Sequence, residues 1–339
     1  MKALLWRALV TAATLLPLMQ QARAATPEDF YRGKQVRIIV SFDAGTDYDQ
    51  WARLIARHLG KHLDGHPTLV VQNMGAAGGI LATNHLFNVA PHDGTVIGMI
   101  GRNLPYFALV QEANARYDPA KFNWIGSPEL TNRVCTAYER SAVRKAEDLF
   151  ERELLTGGAG GASAVSTTPV LLSKLLGMKF KLIEGYPAPG PVLLAMERGE
   201  VEGLCQTITS IRGVRPGWIE SGKLRILFNM ERTPLPNFDA PSIFSFTKTE
   251  EQRRIIALYS SSIELGRPIV APPGVPAERV AALRRAFQAT MNDPALREEA
   301  EKQKLEINVV PGEQVSALVA DLMATSPDII KRMQELVKP

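Results

Sequence analysis

The stretch from Gln35 to Arg57, QVRIIVSFDAGTDYDQWARLIAR, constrains the fold more than any other part of the chain. Ile38 to Phe42 is rich in β-branched and aromatic residues, which predicts a short buried strand. The chain then turns through Asp43-Ala44-Gly45-Thr46-Asp47. After the turn Trp51, Leu54, Ile55 and Leu59 recur at helical spacing, so an amphipathic helix follows. Asp43, Thr46, Asp47 and Asp49 crowd the start of that helix, where a short side-chain oxygen can cap a free N–H. A strand, a glycine turn and a helix N-terminus aim unpaired N–H groups and a positive dipole end at one point, a geometry that suits an anion. An ordinary capped strand–helix unit has the same pattern, so this stretch alone predicts α/β structure and does not name a ligand.

The first residues lie outside that fold. Lys2 and Arg7 precede the mostly apolar run Ala8 to Met19, and Ala22-Arg23-Ala24 has the small-x-small form of a cleavage site. This reads as a secretory signal peptide over residues 1–24, too short to span a bilayer. Its removal takes away Lys2, Arg7 and Arg23 and no acid, so the net charge falls from +4 to +1. The pI of 9.0 therefore overstates the basic character of the exported chain. No Lys/Arg run with interleaved aromatics occurs, which argues against nucleic-acid binding. With 45% apolar and 22% charged residues the rest reads as a soluble globular protein, exported to the periplasm.

Cys135 and Cys205 are the two cysteines, 70 residues apart. In an oxidising compartment they are expected to pair, against the alternatives of two buried thiols or a thiol catalyst, for which no partner histidine motif stands out.

Further strand–turn–helix units follow. Thr68 to Val71 leads into Asn73-Met74-Gly75-Ala76-Ala77-Gly78-Gly79 and a helix with Ile80, Leu81 and Leu86. Val96 to Ile100 ends in Gly101-Arg102-Asn103. Such units predict an α/β domain with a largely parallel sheet, whose turns after the strand C-termini share one ligand-binding edge. The character changes at Trp124 to Ser127. Beyond it come strands at Val134–Tyr138, Glu153–Thr156, Lys179–Glu184, Val201–Thr207 and Leu224–Asn229. Helices are expected at Ala146–Phe150, Pro169–Leu176 and Pro191–Arg198. The glycine-rich loop Gly157 to Ser163 and the turn Gly185 to Gly190 lie among them. Pro234 to Pro241 reads as a surface loop, Ala277 to Met291 as an amphipathic helix, and Gly312 to Leu336 as a helix broken near Ser326-Pro327.

Two other classes of function have some support. Gly158-Ala159-Gly160-Gly161-Ala162-Ser163 follows a strand and precedes a helix, with Glu184 downstream, which suggests a dinucleotide fingerprint. Ser163 stands where the last glycine belongs, which weakens that enzyme reading. His58, His62 and His66 recur every fourth residue, but Gly65 and Pro67 break the helix beside the third, so solvated histidines are favoured over a metal site.

Several blocks resemble the extracytoplasmic solute receptors of tripartite tricarboxylate transporters, the Bug family. Lys34, Phe42, Ala44, Gly45, Asp49, Ala52 and Arg53 match its opening block. Val71-Gln72-Asn73 with Gly75, Gly78 and Gly79 matches the second, and Pro91, Asp93 and Gly94 the third. The loop Gly157 to Ser163, Gly185-Tyr186, Gly199-Glu200-Val201 and Ala271-Pro272-Pro273-Gly274-Val275-Pro276 also fit, in order, over nearly the whole exported chain.

The resemblance implies a type II-like, two-lobed periplasmic-binding-protein fold with two crossover segments and the ligand in the cleft. Residues 27–127 with 229–339 would form one lobe and 128–228 the other. It implies no enzyme and no cofactor, but a monomeric receptor for a small organic acid, delivered to an integral-membrane permease; a periplasmic sensor kinase is the alternative recipient. Carried over by position, Phe42, Asp43, Ala44, Gly45, Thr46 and Asp47 would face the ligand, with Gly158, Ala159, Gly160, Gly161, Ala162 and Ser163 opposite. Gly78, Arg102 and Tyr186 would line the cleft. Asp43 stands where many relatives carry proline, and Thr46 where they carry a second glycine. An Asp43 side chain in the cleft would repel a carboxylate, so capping of the helix is its expected role.

Overall fold

The structure, a computed structural model, describes residues 26–337 apart from 111–113, 131, 159–162, 188 and 236. The expected signal peptide lies outside the described residues. The chain begins with α1 (Pro27–Tyr31), β1 (Gln35–Val40), α2 (Asp47–Leu59), β2 (Thr68–Asn73), α3 (Ile80–Asn88), β3 (Val96–Met99), α4 (Leu104–Leu109) and β4 (Asn123–Ser127). It crosses to β5 (Arg133–Tyr138), β6 (Leu154–Gly157), α5 (Ala164–Leu176), β7 (Phe180–Ile183), α6 (Pro189–Arg198), β8 (Gly203–Thr207), α7 (Ile208–Val214) and β9 (Leu224–Asn229). It returns through α8 (Glu250–Glu264), β10 (Ile269–Ala271), α9 (Ala277–Asn292), α10 (Pro294–Lys302), β11 (Val310–Pro311), α11 (Gly312–Met323) and α12 (Pro327–Val337).

These strands make two sheets, ordered β11-β4-β10-β3-β1-β2 and β7-β6-β8-β5-β9. In the first sheet β1 lies one strand in from the β2 edge, between parallel β2 and β3, and Val36, Ile38, Ile39 and Val40 are fully buried. A strand covered on both faces needs a continuous apolar run, which explains why its sequence does not alternate. Trp51, Leu54 and Ile55 of α2 pack one face with Leu283 and Phe287 of α9. Ile80 and Leu86 of α3 pack the other with Val315 and Val319 of α11. Each sheet is thus the middle of a three-layer lobe.

Neither sheet is parallel throughout, and the crossovers are the reason. β4 ends on the same edge as β1, β2 and β3, and only a short segment separates it from β5. So β5 starts at the edge facing the first sheet and runs antiparallel to β8 and β9. On the return, α8 delivers β10 to that same edge of the first sheet, so β10 runs antiparallel to β3 and β4. The expectation of a largely parallel sheet holds for β1–β2–β3 and for β6 with β7 and β8.

Cys135 and Cys205 stand directly opposite on β5 and β8 and are joined as a disulfide. The packing also cuts across sequence order. Ile256, Ala257 and Ile263 of α8 share a core with Cys135, Leu172 and Phe228 of the second sheet's layer. Met333 and Leu336 of α12 pack on Leu171 of α5 and on Ile255 and Leu258 of α8.

Candidate functional site

The turns that follow β1, β2 and β3 meet at one edge of the first sheet, Gly75 beside Asp43, Gly79 beside Ser41 and Gly101 beside Phe42. The β1–α2 turn is fixed by a residue that sequence reading treated only as a helix-start acid. Asp49 is 3% exposed, and its carboxylate accepts from the Gly45 N–H at 2.8 Å, Arg53 Nε at 2.9 Å and Asn73 Nδ2 at 2.9 Å. Burial pushes the Asp49 carboxyl up, but the bonds from Arg53, Gly45 and Asn73 outweigh it and hold the group below its ordinary value. Asn73 also donates to the Phe42 carbonyl at 3.1 Å, so the end of β2 anchors the turn from its neighbour. Its spacing of four from Arg53 was the available signal for this role.

Helix α2 is capped by Thr46, whose hydroxyl accepts from the Asp49 N–H and donates to the Asp43 carbonyl at 2.8 Å. Asp43 is therefore not the cap. Its exposed side chain lies along the next turn, where a Cβ added to Gly75 would sit 2.2 Å from Asp43 Oδ1. Ala44 and Gly45 are exposed, and the Phe42 ring packs on Tyr48 with centroids 4.5 Å apart. Asp47 is engaged: it pairs with Arg267, which is also paired with the buried Glu129 at 2.6 Å. Glu129 in turn accepts from Trp51 Nε1 at 2.8 Å. Sequence reading missed Glu129 and Arg267 because they meet across separate elements.

Gly78 sits in the β2–α3 turn, where Ala77, Gly78 and Gly79 all have left-handed backbone, at φ 47°, 63° and 95°. Successive residues of this kind turn their N–H groups into a concavity that accepts anions. Gly78 is exposed and Gly79 is buried against Ser41. Arg102 follows β3 beside this turn; its N–H donates to the Tyr48 hydroxyl at 3.2 Å and it is half-buried.

On the second sheet Gly158 follows β6, buried against Glu184 and Ser166, and its N–H donates to the Ile183 carbonyl at 2.8 Å. Ser163 caps α5 by accepting from the Ser166 N–H. Ala159, Gly160, Gly161 and Ala162 lie outside the described residues. Tyr186 is half-buried and its hydroxyl donates to Glu200 at 3.4 Å.

Two of the three histidines, His58 in α2 and His62 just beyond it, face carboxylates. His58 Nε2 lies 2.9 Å from Glu299 and His62 Nε2 lies 2.8 Å from Asp293, and no group among the described residues is arranged to hold a metal.

No family model matches the chain. It is 25% identical over 345 residues, 96% of each chain, to a UPF0065 protein in the gbd 5′ region of Cupriavidus necator. A TctC solute binding protein from Polaromonas, solved without ligand, is similar in fold, with a TM-score of 0.71 at 19% identity over 89% of this chain and 99% of that one. An R. palustris protein solved with adipate is similar more loosely, with a TM-score of 0.52 at 18% identity over 90% and 97%. The end-to-end match and the two-sheet architecture agree: the chain is similar along nearly its whole length to a UPF0065 protein and in fold to a TctC solute binding protein.

Proposed function

We propose that the protein captures a small organic acid in the cleft and presents it to a tripartite tricarboxylate-type membrane permease. The observation that carries this is the β1–α2 turn, held open by the buried Asp49 and set beside the left-handed run Ala77–Gly79. Among the described residues the N–H groups of Ala44 and Asp47 have no acceptor, and neither do those of Ala77 and Gly78. These amides, with the N-terminus of α2, offer positive partial charge without a titratable group, which suits a carboxylate. The α5 N-terminus, with Gly158 and Ser163, meets the ligand from the other side. The R. palustris neighbour solved with adipate is in keeping with this ligand class.

The lobes would be residues 27–127 with 229–339, and 128–228. By this division α8 and α12 fall to the first lobe, but they pack on the core of the second and would travel with it. A ligand touching both lobes favours the closed state, and the closed surface is what the permease reads. Export to the periplasm by residues 1–24 places the receptor where such a permease faces it.

A thermal-shift panel of mono-, di- and tricarboxylates, aromatic acids and acidic amino acids, with NAD and zinc as controls, tests this reading. A ligand at about 100 times its Kd adds about 2.7 kcal/mol and raises the midpoint by several degrees. Gly45→Val should abolish the shift; at φ +84° a β-branched residue is strained by about 1–3 kcal/mol, so the variant's own unliganded midpoint is the baseline. Gly45 has φ +84° and a Cβ there meets nothing within 4 Å, so the side chain would stand in the cleft. Silence across the acids, or a shift with NAD or zinc alone, would refute the proposal.

A further inference from the structure

Asp47 is the first residue of α2, and its N–H is among those proposed to hold an acid. Its own carboxylate therefore stands at the mouth of a turn shaped for an anion, and its charge, left unbalanced, would repel the solute. Nothing close in sequence balances it. Arg267, 220 residues further along, pairs with it instead.

The placement of Arg267 is built from the backbone outward. It lies in the segment that returns from α8 to β10. Its N–H donates to the Ser127 hydroxyl at 2.8 Å, and that hydroxyl donates to the Glu129 carbonyl at 2.9 Å. Gly266 has φ +60°, and a Cβ there would sit 1.7 Å from the Glu129 carbonyl oxygen, so glycine lets the returning segment press on the crossover that leaves β4. Held there, the guanidinium pairs with Glu129 at 2.6 Å and with Asp47, and lies over the Tyr48 ring, 5.6 Å from its centroid. The Tyr48 hydroxyl accepts from the Arg102 N–H at 3.2 Å, so one side chain backs the turns after β1 and β3. Burial disfavours the Arg267 cation, but Glu129 and Asp47 outweigh it. The two acids differ in standing. Glu129 is buried and has a second donor in Trp51 Nε1, whereas Asp47 is half-exposed. Glu129 thus fixes where the guanidinium sits, and Asp47 is the group on which it acts.

We infer that Arg267 is a positioning residue for acid capture: it cancels the Asp47 charge at the mouth of the anion-accepting turn and ties that turn to the crossover. It acts through Asp47 and not by touching the solute. This rests on the receptor reading and adds to it that Asp47 opposes acid binding until Arg267 balances it.

The test titrates wild type, Arg267→Lys, Asp47→Asn and the double variant with succinate, adipate, citrate and benzoate by calorimetry, at low and at high salt. Lysine keeps a cation for the buried Glu129 but lacks the fork that holds two acids at once, so it releases Asp47 without stranding Glu129. At about 20 mM salt Arg267→Lys should weaken the acid that wild type binds best by about 10-fold, the scale of one half-exposed charge several ångströms from an anion. Adding Asp47→Asn should restore at least the wild-type affinity. At about 500 mM salt the loss in Arg267→Lys should shrink to about twofold, because an exposed charge is screened. Asp47→Asn alone leaves the Arg267–Glu129 pair in place and should bind the acid more tightly than wild type at low salt, which keeps the test open if Arg267→Lys folds poorly. Wild-type affinity in Arg267→Lys, a loss that Asp47→Asn does not restore, the same loss at both salt concentrations, or weaker binding by Asp47→Asn alone would each overturn the assignment and leave the receptor intact. No binding of any of these acids by the wild type would remove the receptor reading, and the assignment with it.

Discussion

Glu231, on the crossover that leaves β9, should make the unliganded protein less stable as the pH rises through neutrality. The residue is 5% exposed, Oε1 is taken by the Arg133 N–H, and Oε2 is buried with no partner. Burial is the main cause that raises its carboxyl from 4.5 to about 7, and the nearby Glu264 adds to it. Because the folded value lies above the unfolded one, the native state binds the extra proton between those two values. The associated stability is therefore complete below about pH 4.5 and is lost as the pH rises through 7. At 1.36 kcal/mol per pH unit the loss amounts to about 3 kcal/mol. Glu231→Gln keeps the shape and the acceptor for Arg133 and resembles the protonated acid. Its advantage over wild type should grow by about 3 kcal/mol between pH 5 and pH 8. At about 2.1 cal/mol/K per residue, a chain of this length moves its midpoint by about 1.5 °C per kcal/mol, so the melting curves should diverge by about 5 °C. Melts of both proteins across that range are the assay. Parallel pH profiles would refute the reasoning and show that Glu231 is ionised at little cost.

Other substitutions follow from the same contacts. Asp49→Ala removes three hydrogen bonds from a buried carboxylate and should cost about 3 kcal/mol, with faster amide exchange at Gly45 as its local sign. Unchanged exchange there would show that the turn holds its shape without Asp49. Reducing Cys135–Cys205, or replacing both with alanine, opens a closure of 70 residues and should cost about 4 kcal/mol, or about 6 °C in Tm. A midpoint that does not respond to reductant would refute the cross-link.

The first lobe was legible because its signals are local. The β1–α2 unit declares itself through an apolar run, a glycine turn and helical spacing, and only the identity of the cap was misassigned. Asp43 and Thr46 are both good caps, and it is the hydrogen bond from the Gly45 N–H to the Asp49 carboxylate that settles which residue sits at the helix start. Helix α5 was expected from Pro169, since proline usually begins a helix, yet it starts at Ala164. Pro169 lacks the N–H that would reach the Val165 carbonyl, so the helix runs through the proline with that one bond missing. Helix α8 gave no amphipathic stripe because it packs on several sides at once, burying Ile255, Ile256, Ala257, Leu258 and Ile263.

The two long-range helices decide which parts can move together, and α12 offers the sharper test. Met333 and Leu336 are each 4% exposed, and their neighbours Leu171, Ile255 and Leu258 come from α5 and α8. Burying two or three side chains of this size contributes about 5 kcal/mol in all, whereas the half-exposed Arg332–Glu251 pair at 3.8 Å adds little. A chain ending at Thr325, or the milder Met333→Ala/Leu336→Ala pair, should therefore lower Tm by about 5–8 °C. Met333 also lines the cavity beside Tyr259, so affinity for whichever acid the wild type binds is a second readout of the same change. If the pair left both Tm and affinity unchanged, α12 would be a passive appendage, and closure would have to be carried by the crossovers alone. If Tm fell while affinity held, α12 would be part of the second lobe's body but not of its ligand wall.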